Sequence, residues 1–131
     1  MIFLDANYII SLFIENHEFH ERAKEIDESL VGKEQIISRL VISEVITILN
    51  IRLKASNEVI ERAYHQMHNY YEIIEDHYFY DKGLEKILKY DDKDLSLFDC
   101  VYMAIMEELG IKQIVTFDKH FNNKGIRVIG Y

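Results

Sequence analysis

The chain has 131 residues, 49% apolar and 29% charged, enough for one soluble domain with a real core. Its 15 basic and 23 acidic residues leave a net charge of −8, which argues against nucleic-acid binding through a broad basic face. The lone cysteine, Cys100, excludes an internal disulfide framework and suits a reducing compartment.

The run Met1–Leu4 reads as a short buried strand ending at Asp5. Asn7 is placed to cap a helix through Phe13. The stretch to Ile14 carries Asp5 and Asn7 and lacks a basic leader, so it reads as neither signal peptide nor membrane span, and the expected location is the cytoplasm. A second helix is expected over His17–Leu30, with Phe19, Ala23, Ile26 and Leu30 on one face. Gln35–Ile37 is a strand, followed by an apolar helix from Arg39 to Lys54. Ser56 caps the next helix, with Val59, Ile60, Ala63 and Met67 on its apolar side. Glu72–Glu75 reads as a strand, Tyr78–Tyr90 as a helix, and Ser96–Leu109 as a strong helix closed by Gly110. Gln113–Thr116 and Arg127–Ile129 are the last strands.

Strands alternating with helices predict an α/β fold, a three-layer α/β/α sandwich around a parallel sheet of about five strands. With no linker, repeat or low-complexity segment, residues 1–131 read as a single domain.

Four acids stand out. Asp5 and Asp118 directly follow predicted strands, where open α/β sheets place their ligands. Glu44 shares a helix face with Val41, Val45 and Ile48; Asp99 shares one with Leu95, Tyr102 and Met106. Carboxylates among apolar neighbours are costly without a partner, and a shared hard cation would supply one. Each acid also has an ordinary reading. Asp5 and Asp118 can cap the segments after them, Asp99 fits a capping box with Ser96, and Glu44 can pair with Arg39 or Arg52. Four such coincidences together are less persuasive than one site.

Phe3-Leu4-Asp5-Ala6-Asn7, Ser43-Glu44, Leu95-Ser96-Leu97-Phe98-Asp99-Cys100 and Thr116-Phe117-Asp118-Lys119-His120-Phe121 resemble, in order and spacing, the PIN domain as found in VapC-type toxins. The resemblance implies an endoribonuclease dependent on Mg²⁺ or Mn²⁺, with Asp5, Glu44, Asp99 and Asp118 as its metal site. Thr116 and Asn7 match supporting polar positions. It also implies 5′-phosphate and 3′-hydroxyl products, a homodimer, and a small antitoxin as partner. In this frame Asp5 and Asp99 hold the main ion, Asp118 completes it or binds a second, Glu44 ligates through water or positions the attacking water, and Thr116 orients a carboxylate or the scissile phosphate. Two positions depart from the pattern: Ala6 replaces a usual hydroxyl residue, and Cys100 a usual alanine.

Arg39, after the second strand, and Lys119, after Asp118, are candidate phosphate contacts. The pairs His17/His20 and His65/His68 have metal-compatible spacing but read better as solvated helix faces. Cys100 has no adjacent histidine to activate it and suits a buried packing position. Tyr70-Tyr71 and Tyr78-Phe79-Tyr80 can stack bases or form a partner surface, with core packing the plainer reading.

A phosphatase of the haloacid dehalogenase type needs an acid where Asn7 stands, and a phospho-receiver needs paired acids after its first strand. The stronger alternative is a catalytically weak PIN-type module that binds RNA or protein without cutting.

Overall fold

Five short strands and six α-helices follow one another in the structure, a computed structural model of residues 1–131. In chain order they are β1 (Ile2–Leu4), α1 (Ala6–Phe13), α2 (His20–Ser29), β2 (Gln35–Ser38), α3 (Arg39–Thr47), α4 (Asn57–Tyr70), β3 (Glu72–Ile74), α5 (Tyr80–Tyr90), α6 (Leu97–Leu109), β4 (Gln113–Val115) and β5 (Arg127–Ile129). The strands form one fully parallel sheet in the order β3-β2-β1-β4-β5. Central β1 is buried throughout, with Phe3 opposite Ile36 on one side and Ile114 on the other. The expected parallel α/β/α architecture is what is found, because parallel neighbours require crossovers and the helices supply them.

The strand order matters for function. From β1 the chain builds outward to β2 and β3, then returns to add β4 and β5 on β1's other side. The order therefore reverses between β1 and β4, and the crevice beyond the carboxyl ends of those strands is where such sheets bind ligands. Asp5 leaves β1 and Thr116 leaves β4 at that point.

Several boundaries differ from the sequence expectation. Asp5, not Asn7, caps α1: its Oδ1 accepts from the Ala6 N–H at 2.8 Å, and Asn7 lies in the first turn. The second helix starts at His20, because a turn precedes it in which the Phe19 N–H donates to His17 Nδ1 at 3.1 Å. The helix from Arg39 is not regular as far as Lys54. After Thr47 it widens into a π-helical turn, Ile48–Arg52, capped by Leu53, and Lys54 lies beyond it at φ +51°. A 3₁₀ turn, His77–Phe79, precedes α5. The Ser56 cap on α4, the Ser96–Asp99 capping box on α6 and the Gly110 stop at φ +69° all form as expected.

The core is one cluster of 30 buried apolar residues. Tyr71 and Phe79 pack against it, while Tyr70, Tyr78 and Tyr80 are exposed. No helix is long and apolar enough to cross a membrane.

Candidate metal centre

Each of the four acids is held by its own element. Asp5 is buried at the end of β1, with Oδ1 on the Ala6 N–H and Oδ2 accepting from the Thr116 hydroxyl at 2.8 Å. Asp99 is the third residue of α6: its N–H donates to Ser96 Oγ at 3.0 Å, and its Oδ2 accepts from the Ser96 N–H at 3.3 Å. Asp118 caps the 3₁₀ turn Lys119–Phe121 by accepting from the His120 N–H at 2.9 Å. Glu44, half-buried on α3, accepts from the Tyr102 hydroxyl of α6 at 2.6 Å. The capping readings of Asp5, Asp99 and Asp118 are thus correct as far as they go. The ordinary alternative for Glu44, an ion pair with Arg39 or Arg52, is not formed, and Tyr102 takes its place.

Thr116 is the junction of this network. Its hydroxyl donates to Asp5 and accepts from Asn7 Nδ2 at 3.2 Å and from the Asp118 N–H at 3.0 Å. Asn7 Oδ1 in turn accepts from the Phe117 N–H at 3.0 Å, tying α1 to the strand-end loop. Asp5 therefore keeps two donors although Ala6 offers no hydroxyl.

The four carboxylates act on one another. Burial, then the charges of Glu44 and Asp99, push the Asp5 carboxyl up to about 8. Burial also raises Glu44 and Asp99, and Asp118 adds to both. No lysine or arginine forms an ion pair with any of the four, although the charge of Arg52 reaches Glu44; the basic side chain nearest the cluster is His120. His120 Nδ1 lies 3.1 Å from Asp118 Oδ2 and 3.8 Å from Asp99 Oδ2, buried and without an aligned hydrogen bond. Ligand atoms of Asp99, Asp118 and His120 all fall within 4.8 Å of one another. A mostly oxygen donor set, crowded with like charge and carrying an orphaned buried nitrogen, fits a hard divalent cation such as Mg²⁺ or Mn²⁺.

The remaining sequence candidates lie as follows. Arg39 is engaged by Glu75 at 2.7 Å and His68 at 3.1 Å, and by none of the four acids. Lys119 is exposed, with its ammonium 5.5 Å from the centre of the Tyr131 ring. His17 and His20 are both tied to Ser11, and His68 binds the Tyr64 carbonyl, so neither histidine pair gathers ligands. Cys100 is buried and its thiol is pushed up by that burial, the reverse of an activated nucleophile. The largest cavity, about 570 Å³, is elsewhere, between Leu12, His20, Gln35, Arg62 and Tyr71, with Gln35 opening β2 at the opposite end of the strands.

Sequence reasoning missed Tyr102 as the partner of Glu44 and His120 as a neighbour of Asp99 and Asp118. The signal for Tyr102 was its place one helical turn from Asp99 on the same buried face. His120 was visible only as the second residue after Asp118 in a capped turn.

The family model of the PIN domain matches residues 2–126. No curated protein matches the sequence. Among solved structures, VapC20 of Mycobacterium tuberculosis, a sarcin-ricin loop cleaving toxin, superimposes with a TM-score of 0.86 at 21% identity over 96% of both chains. FitAcB of Neisseria gonorrhoeae gives a TM-score of 0.71 at 16% identity, covering 98% of this chain and 96% of the other. VapBC2 of Rickettsia felis, bound to a DNA fragment from its promoter, gives 0.72 at 14% identity, covering 100% and 99%. With the family model spanning nearly its whole length, this chain belongs to the PIN domain family.

Proposed function

We propose that this protein is a divalent-metal-dependent endoribonuclease of the cytoplasm, the toxin of a toxin–antitoxin pair, acting as a homodimer through one catalytic domain spanning residues 1–131. The observation that carries this reading is the gathering of Asp99, Asp118 and His120 within 4.8 Å of one another, with the buried Asp5 and half-buried Glu44 carboxylates near enough for the charges of the cluster to act on them. Asp5 and Asp99 would hold the ion, with Asp118 and His120 beside them. When bound there, Mg²⁺ or Mn²⁺ would supply Lewis-acid activation of water and charge neutralisation at the leaving oxygen. Glu44, fixed by Tyr102, orients the attacking water. Thr116 locks the Asp5 carboxylate and, through the Asp118 N–H, the loop beyond β4. Lys119 meets the phosphate backbone as it enters an otherwise acidic cleft. The likeness to complexes of FitAB and VapBC supports an antitoxin partner.

Calorimetry with Mn²⁺ and cleavage of RNA in Mg²⁺ test the reading on wild type and Asp99→Asn. Wild type should bind and cut. The Asp99→Asn variant should fold, lose most metal affinity and lose cleavage. A variant that cuts at the wild-type rate refutes the site. A wild type that binds metal but cuts no RNA favours the alternative, a PIN-type binding module.

A further inference from the structure

A groove of about 330 Å³ runs between α3 with its π turn and the start of α6. Glu44 forms one wall, so the groove opens onto the carboxylate cluster. Phe98 forms the other, one residue before Asp99 and 42% exposed. No other aromatic ring packs on Phe98. Ile48 and Ile51 make the side apolar, and Ile51 is 61% exposed. Arg52 also lines it, exposed and with no ion pair or hydrogen bond to the protein. The π turn sets these residues here: the added residue per turn rotates Ile51 and Arg52 off the register a regular helix would give them.

We propose that this groove holds one unpaired base of the RNA next to the scissile phosphate. Phe98 is the stacking face and Arg52 the contact to an adjoining backbone phosphate. The inference rests on the nuclease reading above. Three observations favour a nucleotide. The groove is continuous with the cluster that would bind the reacting phosphate. Its one cation forms no ion pair or hydrogen bond, although its charge reaches Glu44 across the groove, and a polyanion approaching a chain of net charge −8 needs such a cation. Its exposed aromatic ring stands where unpaired bases stack on protein. Phe98 would then hold the base and Arg52 the backbone beside the cut, adding affinity and at most a modest base preference, while the acids carry the cleavage.

The test treats total bacterial RNA in Mg²⁺ with wild type, Phe98→Leu, Phe98→Trp and Arg52→Gln, maps cut sites by 5′-end sequencing, and measures Mn²⁺ affinity in parallel. Phe98→Leu should lower the cleavage rate roughly tenfold and flatten base preference at one position beside the cut. Phe98→Trp should restore both. Arg52→Gln should weaken cleavage and reduce its salt dependence by about one phosphate contact. Both Phe98 variants should bind Mn²⁺ as wild type does. Wild-type rate and preference in Phe98→Leu would overturn the proposal and leave the groove to a protein partner. Equal damage from Leu and Trp would overturn it too, because stacking would then not be what matters. A wild type that neither binds Mn²⁺ nor cuts would instead bring down the nuclease reading, and this inference with it.

Discussion

Replacing Asp5 by asparagine should make the metal-free protein more stable at pH 8 and less dependent on pH. In the folded chain the Asp5 carboxyl is pushed up to about 8, against 3.8 as an isolated group, by burial and then by Glu44 and Asp99. Between those values the folded chain keeps a proton that the unfolded chain releases. The sign follows: the contribution is full below the lower value and is lost as pH rises through the upper one. Each pH unit costs about 1.4 kcal/mol, so from pH 5 to 8 the wild type loses at most roughly 4 kcal/mol through this group. Coupling to Glu44 and Asp99 spreads the loss over the cluster. Asparagine cannot ionise and keeps the Oδ1 acceptor for the Ala6 N–H. Its amide meets a Thr116 hydroxyl already accepting from Asn7 and the Asp118 N–H, a cost of about 1 kcal/mol. By pH 5 the wild type has already lost about 1.7 kcal/mol of this contribution, more than the amide costs, so the variant should be slightly the more stable at pH 5 and by several kcal/mol at pH 8. The chain has no tryptophan, so urea unfolding in EDTA is followed by far-UV circular dichroism. A wild type whose unfolding free energy is flat or rises from pH 5 to 8, or equal slopes for both proteins, refutes the reasoning. Adding Mn²⁺ to wild type at pH 8 should recover the lost stability.

Other changes probe the supports. Tyr102→Phe removes the 2.6 Å hydrogen bond to Glu44, a charge-assisted bond of about 1.5–3 kcal/mol, and should cut the RNA cleavage rate roughly 10- to 100-fold with the fold retained. The same loss moves Glu44 further up, so the acid limb of the pH–rate profile should shift to higher pH; an unmoved limb would free Tyr102 of this role. Gly130→Ala would set its Cβ 2.1 Å from the Thr116 carbonyl oxygen. The backbone must yield, costing about 1–3 kcal/mol and several degrees of Tm by thermal melting, and cleavage should fall because Thr116 moves. A melting curve identical to wild type would show that this strand end is free to shift.

The outline was legible because its signals are local. Phe3-Leu4-Asp5 and Val115-Thr116-Phe117-Asp118 each show a strand running into an acid, and Ser96 with Asp99 announces a helix start. The parallel sheet followed from alternation alone. What escaped was set by tertiary contact. The ordinary reading of Glu44 paired it with an arginine, but the packing of α3 near α6 offered a buried phenol instead. Arg39 looked close to the cleft because it precedes Glu44 in sequence, yet it is committed to Glu75 beyond β3. The break after Thr47 had no glycine or proline to mark it; apolar residues continue through Ile48, Leu49 and Ile51 while the helix widens. Helix starts shifted by one to three residues, where a cap competes with the residue expected to be one.

Each of the four acids spends at least one carboxylate oxygen on the fold: on a backbone N–H for Asp5, Asp99 and Asp118, and on a phenol for Glu44. Those side chains are frozen before any ion arrives. Metal uptake then has almost no rotamer entropy left to lose and no loop to reorder, so loading should be fast and reversible, limited by diffusion and proton release rather than by a conformational gate. On the nuclease reading proposed above, activity would track free divalent ion from moment to moment, and restraint would have to come from outside the site.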